Sequence, residues 1–138
     1  MPRVDLPPSV QKQFFDFHWD RQLLWEQAGR VMADQLPLSD LLWTLELPIW
    51  PRFEGQKVHD LAPSEFLREP KRFPTHMERV LKSDPTFPLI LMPNLDSRWV
   101  VIDGYHRLVK CMMERVPRVS VKKLDRSVIP KIRVERVK

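Results

Sequence analysis

Short apolar blocks separated by prolines give this chain its most readable pattern. Near its start, Phe14, Phe15 and Phe17, then Leu23, Leu24, Trp25, Ala28, Val31 and Met32, predict helical structure over residues 1–35. Gly29 is a weak point in any single continuous helix there. Ser39 stands where an N-cap is needed for a short helix over 40–46, which Pro48 stops. Residues 57–61 read as a short strand, and 62–67 as a brief helix with Pro63 at an early position, where a missing N–H is tolerated. A further helix runs from Pro74 to Lys82 with Met77, Val80 and Leu81 inward, and Pro85 and Pro88 close it off. Two strands follow, Leu89 to Pro93 and Trp99 to Asp103, joined by the polar turn Asn94-Leu95-Asp96-Ser97. After Gly104 comes the clearest helix, with Leu108, Cys111, Met112 and Val116 at helical spacing and Pro117 as its end. Val119 to Lys122 alternates like a half-buried strand, and Ile132, Val134 and Val137 indicate a last extended segment. The order predicts a mixed α/β domain with a small sheet, flanking helices and a helical, tryptophan-rich N-terminal extension.

Composition narrows this picture. A length of 138 residues fits one domain, and 43% hydrophobic with 30% charged residues is globular rather than disordered. Fourteen prolines against three glycines keep the middle of the chain in short elements. No apolar run is long enough to span a membrane. The first residues lack a basic stretch followed by an apolar one, so a cytoplasmic location is expected. A single cysteine, Cys111, excludes an internal disulfide framework and any multi-cysteine metal site. Five tryptophans offer either a stacking surface for bases or large core fillers.

Charge is uneven. Residues 1–106 hold 12 basic and 15 acidic side chains, net −3; residues 107–138 hold 11 and 3, net +8. Arg115, Arg118, Lys122, Lys123, Arg126, Lys131, Arg133, Arg136 and Lys138 are interleaved with valines and isoleucines. Such a segment attracts nucleic acid, phosphate ligands or an acidic protein, and it equally describes a solvated face.

The strand-to-helix turn Asp103-Gly104-Tyr105-His106-Arg107 carries the strongest chemical signal. The apolar run Trp99-Val100-Val101-Ile102 reads as a buried strand that delivers Asp103 at its end, and Gly104 permits a tight turn. The helix that follows begins with backbone N–H groups lacking internal partners and with the positive end of its dipole, which together favour an anion. Arg107 adds a fork suited to phosphate, and His106 a donor that also transfers protons. Asp103 is a candidate to hold a divalent cation or accept a hydroxyl proton. A purely structural arrangement has Asp103 capping the helix, Arg107 paired with it and His106 in a polar niche.

Pro88-Leu89-Ile90-Leu91 followed by Trp99 to Leu108 resembles the ParB/sulfiredoxin superfamily signature, a Pro-Ile-x-Val strand before an Asp-Gly-x-His-Arg-Leu turn. The resemblance covers roughly residues 57–125, so 1–55 form an extension, 56–126 the core and 127–138 a basic segment. It implies a nucleoside triphosphate or diphosphate with Mg²⁺ as ligand, bound by Gly104, Tyr105, His106 and Arg107. Asp103 and His106 are the implied catalytic groups, with Asp103 also a metal ligand. Sulfiredoxin has its cysteine immediately before the His-Arg pair; Tyr105 stands there, so that chemistry is not implied. The partitioning proteins use Gly-Glu-Arg-Arg and a helix-turn-helix domain for which this length leaves no room. The turn is most similar to Asp-Gly-His-His-Arg of the free-serine kinase branch, whose upstream acidic base corresponds to Glu65 or Glu78.

His76 and Arg79, one turn apart on the helix before the strands, are additional candidates for the same site. The histidines show no zinc-binding spacing. Three functions stay open on the sequence: a nucleotide- or phosphate-binding domain acting as a phosphotransferase or nucleotide hydrolase, a non-enzymatic module gripping nucleic acid or protein, and a ParB-like nuclease. The oligomeric state is not specified.

Overall fold

The computed structural model describes residues 13–15, 17–56 and 59–134. In chain order these form β1 (His18–Trp19), α1 (Arg21–Ala28), β2 (Asp34–Pro37), a 3₁₀ segment Leu38–Glu46, α2 (Pro63–Arg68), α3 (Pro74–Lys82), β3 (Leu89–Pro93), β4 (Trp99–Asp103), α4 (Tyr105–Met113), β5 (Arg118–Lys123), α5 (Ile129–Ile132) and β6 (Arg133–Val134). The fold is mixed α and β. A four-stranded sheet runs β2-β5-β3-β4, and a separate two-stranded pair joins β1 to β6. Within the larger sheet β3 is parallel to β5, while β2–β5 and β3–β4 are antiparallel.

The β3–β4 hairpin forms where the apolar runs demand it. Leu89 to Met92 and Val100 to Ile102 are buried, as continuous apolar strands covered on both faces should be. Buried Asn94 fastens the turn: its Oδ1 accepts from the amides of Asp96 (2.9 Å) and Arg98 (3.0 Å), and its Nδ2 donates to the Gln13 carbonyl (2.7 Å). On α4, Tyr105, Leu108, Val109 and Cys111 face the core, whereas Met112 lies outward. This helix ends at Met113, before Pro117, with Arg115 in the left-handed region at φ 57°. On α3, His76 and Val80 are buried, and Leu81, expected inward, is exposed. Lys110 crosses from α4 to cap α3, its Nζ donating to the carbonyls of Leu81 and Ser83, both at 2.8 Å.

The first third of the chain departs from its expected form. Of the helix expected over residues 1–35, residues 1–12 and 16 lie outside those described; Gln13 is helical, and among the rest helix is limited to Arg21–Ala28, flanked by strands. Asp20 caps it, accepting from the Leu23 amide at 2.9 Å, and Lys122 closes the other end by donating to the Ala28 carbonyl at 3.1 Å. Asp34–Pro37 becomes a sheet strand because Arg118–Lys123 offers it a partner. The expected helix over 40–46 is the 3₁₀ segment, with Pro37 rather than Ser39 at its cap position and no side-chain cap. Of the strand expected over 57–61, Lys57 and Val58 lie outside the described residues, and Leu61 makes an isolated bridge to Trp50.

The basic C-terminal segment is folded in up to Val134. Ile132 is buried, its carbonyl accepts from the Asp20 amide at 2.9 Å, and β6 pairs with β1. Val137, Arg136 and Lys138 lie outside the described residues. Buried side chains from Phe14 to Ile132 make one core.

Candidate functional site

Gly104 takes φ +115°, and a Cβ there would lie 2.9 Å from Leu89 Cδ2 and 3.1 Å from Arg107 Nη2. Only glycine fits both the left-handed backbone and the crowding. It occupies the cap position of α4, where no side chain caps the helix, so Asp103 is not the cap. Asp103 is paired instead: Arg107 Nη2 donates to its Oδ2 at 2.9 Å and Trp25 Nε1 to the same oxygen at 3.3 Å. Arg107 Nη1 also donates to the Pro88 carbonyl at 2.8 Å, so the guanidinium staples the turn to the start of β3. Tyr105 turns its ring into the core beside Phe14, which leaves the backbone at this position as what it can offer a ligand.

His106 meets His76. Its Nε2 lies 3.1 Å from His76 Nδ1, and His76 Nε2 lies 2.7 Å from the Pro51 carbonyl oxygen. A carbonyl only accepts, so His76 Nε2 carries a proton; in a neutral His76 ring Nδ1 then accepts, and His106 Nε2 is the donor. Burial pushes the His76 pKa below its ordinary value, the Pro51 hydrogen bond works against that, and the charge of Arg79 adds to the lowering. A neutral His76 therefore fixes the His106 ring with its lone pair on Nδ1.

Both imidazoles rest on Trp50. Each ring centroid is 4.4 Å from that of the indole at an interplanar angle of 12°, and the imidazole centroids are 5.4 Å apart. Opposite faces would separate them by nearly twice the first distance, so the two rings lie side by side on one face of the indole. A proton gained by His106 would sit over an aromatic face, a cation–π arrangement.

The turn and this histidine pair face a common cleft of about 920 Å³. Arg21, Arg79 and Lys82 bring cations to it, Glu54 and Asp84 bring carboxylates, and Trp25 and Phe87 bring exposed aromatic faces. Asp84 is held below the usual carboxylate range by hydrogen bonds from the Thr86 hydroxyl and amide, with further help from the charges of Lys110 and Arg107.

Asp103, Gly104, Tyr105, His106, Arg107, His76 and Arg79 thus line one cleft. Glu65 and Glu78 are not among its lining residues. Glu65 is taken by a two-pronged ion pair with Arg52, which holds its carboxyl low, and Glu78 by Lys82 at 2.6 Å on the same helix. Both lie upstream of the turn, but each carboxylate is held by a neighbouring cation. Among the described residues no group of three or more His, Cys, Asp or Glu side chains is placed to hold a metal, and Asp103 already accepts from Arg107 and Trp25. The donor set does not fit Asp103 as the centre of a magnesium site.

Trp50, Pro51, Trp25, Arg21, Lys82 and Phe87 were not singled out as site residues by sequence. Trp50 was visible only as a member of the tryptophan set, and Trp25 also as an apolar position of the helix expected over 1–35. Cys111 is buried, and its thiol is pushed up by desolvation, with Glu114 adding to the effect. Four of the C-terminal cations are committed to packing: Arg118 to the Gln35 carbonyl, Lys122 to Ala28, Lys123 to Asp34 and over the Trp99 ring, and Arg126 to the Pro93 carbonyl.

No family model, no curated protein and no solved structure matches the chain.

Proposed function

We propose that the cleft binds a nucleotide or another phosphorylated small molecule, with a phosphate at the start of α4, and that His106 carries a proton to or from it. The observation that supports this most is that the uncapped start of a nine-residue helix opens into a cleft also lined by Arg21, Arg79 and Lys82, the last of them shared with Glu78. The His76–His106 pair supplies a ring whose proton positions are set by its neighbours, as proton transfer requires. Phosphotransfer or nucleotide hydrolysis is the reaction class this serves, in keeping with the turn's resemblance to the ParB/sulfiredoxin superfamily. Magnesium, where needed, arrives with the phosphates rather than on a set of carboxylates. A grip on nucleic acid by the basic segment has fewer cations to draw on than the sequence offers, since four of them serve the fold.

Calorimetry with ATP, ADP and CTP in the presence of Mg²⁺ tests the proposal. Arg107 is a poor probe because its loss would free both Asp103 and the Pro88 carbonyl. The double variant Arg79→Ala, Lys82→Ala leaves the turn intact and is expected to weaken binding roughly tenfold or more. No binding by the wild type to any of the three, or unchanged affinity in the double variant, overturns it.

A further inference from the structure

The cleft carries two aromatic side chains that the core does not use. Trp25 is 47% exposed and Phe87 60% exposed, and both line the cleft that holds the turn. An exposed tryptophan on α1 does little for folding, because Leu24 and Ala28 are the residues by which that helix is buried. Trp25 is nevertheless held in one place. Its indole N–H donates to Asp103 Oδ2, the oxygen that also takes Arg107, and the Arg21 guanidinium lies 6.0 Å from its ring centroid. The result is a flat apolar face, oriented by a hydrogen bond, beside the start of α4. A phosphate alone has no use for such a face.

From this juxtaposition we infer that Trp25 is a platform for a nucleobase, so that the cleft's ligand is a nucleotide rather than a non-aromatic phosphorylated compound. The inference rests on the phosphate-binding reading of the same cleft and narrows it. Bases stack on aromatic side chains through their π-faces with little regard to base identity. Trp25 therefore contributes affinity for nucleotides as a class, and discrimination among bases falls to other groups. The N-terminal extension, which lies outside the superfamily resemblance, thereby supplies the contact that selects an aromatic ligand.

The test compares a nucleoside triphosphate, ATP, with inorganic tripolyphosphate, each titrated calorimetrically into the intact protein and into Trp25→Leu and Trp25→Phe. The wild type is expected to prefer ATP by roughly tenfold or more. Trp25→Leu should lose most of that preference, its affinity for ATP falling toward its own affinity for tripolyphosphate. Trp25→Phe, which keeps a ring but not the N–H, should retain most of it. Quenching of tryptophan fluorescence by ATP should shrink in both variants. A wild type that binds both ligands equally, or a Trp25→Leu protein that keeps the preference, overturns the platform and leaves the phosphate site standing. Failure of both ligands to bind removes the phosphate site and the platform together. Circular dichroism of each variant verifies the fold, which an exposed position should preserve.

Discussion

On one wall of the cleft, residues 102–107 follow one another along the chain; on the other, Trp50, Pro51 and His76 come from separate segments and meet only in the fold. The first wall is a local device, a glycine turn whose charged residues pair across a single helical turn. The second is an assembly in which a buried indole supports two imidazoles and a backbone carbonyl fixes their protons. Local devices survive changes elsewhere in the molecule, whereas assemblies depend on all their members. The contrast explains why His106, which belongs to both walls, depends on residues far from its own motif.

Three substitutions and one control probe the difference, and the largest effect belongs to the second wall. Trp50→Ala removes a nearly fully buried indole beneath both histidines and should cost about 3–5 kcal/mol in urea unfolding. A midpoint equal to wild type would show that the indole does not hold the assembly. Gly104→Ala comes next, at about 1–3 kcal/mol from the left-handed backbone. Gly55 is the control, since its φ is also positive, at +82°, but nothing lies within 4 Å of an added Cβ. Gly104→Ala should therefore be the more costly of the two alanine variants, because it alone collides with Leu89 and Arg107. The smallest effect is one of pH. The folded protein holds His76 below its ordinary pKa of 6.5, so below that pH the unfolded chain binds more protons than the native one. Stability should fall as pH drops from about 6.5 toward the depressed native value. His76→Gln should flatten that decline, and an unaltered slope would show that another group causes it.

The same division governs what the sequence revealed. The bounds of β3, β4 and α3 were legible to the residue, because Pro74, Pro85 and Pro88 punctuate them and each apolar run has one reading. The turn at Gly104 was legible as a place. Asp103 and Arg107 pair as their spacing allowed, while the Trp25 hydrogen bond to Asp103 had no local sign. The strand Asp34–Pro37 was hidden because neither face is well buried and its identity comes from a partner strand far along the chain. Trp50 was hidden for a related reason: periodicity reports that a residue is buried, not that it is buried against two imidazoles. Glu65 and Glu78 lie outside the cleft lining, each held by a cation that the position of an acidic residue upstream of the motif does not reveal.

The pairing of β1 with β6 has a consequence in time. Helix α1, which carries Trp25, is held by the Ile132 carbonyl on Asp20 and by Lys122 on Ala28. A refolding chain can close the β3–β4 hairpin and α4, whose contacts are local, before β1 and β6 meet. The wall bearing Trp25 must wait, because the strand and carbonyl that fasten it lie far along the chain. Closing so long a loop is slow compared with forming the hairpin. The turn at Gly104 thus takes shape before Trp25 is fastened beside it.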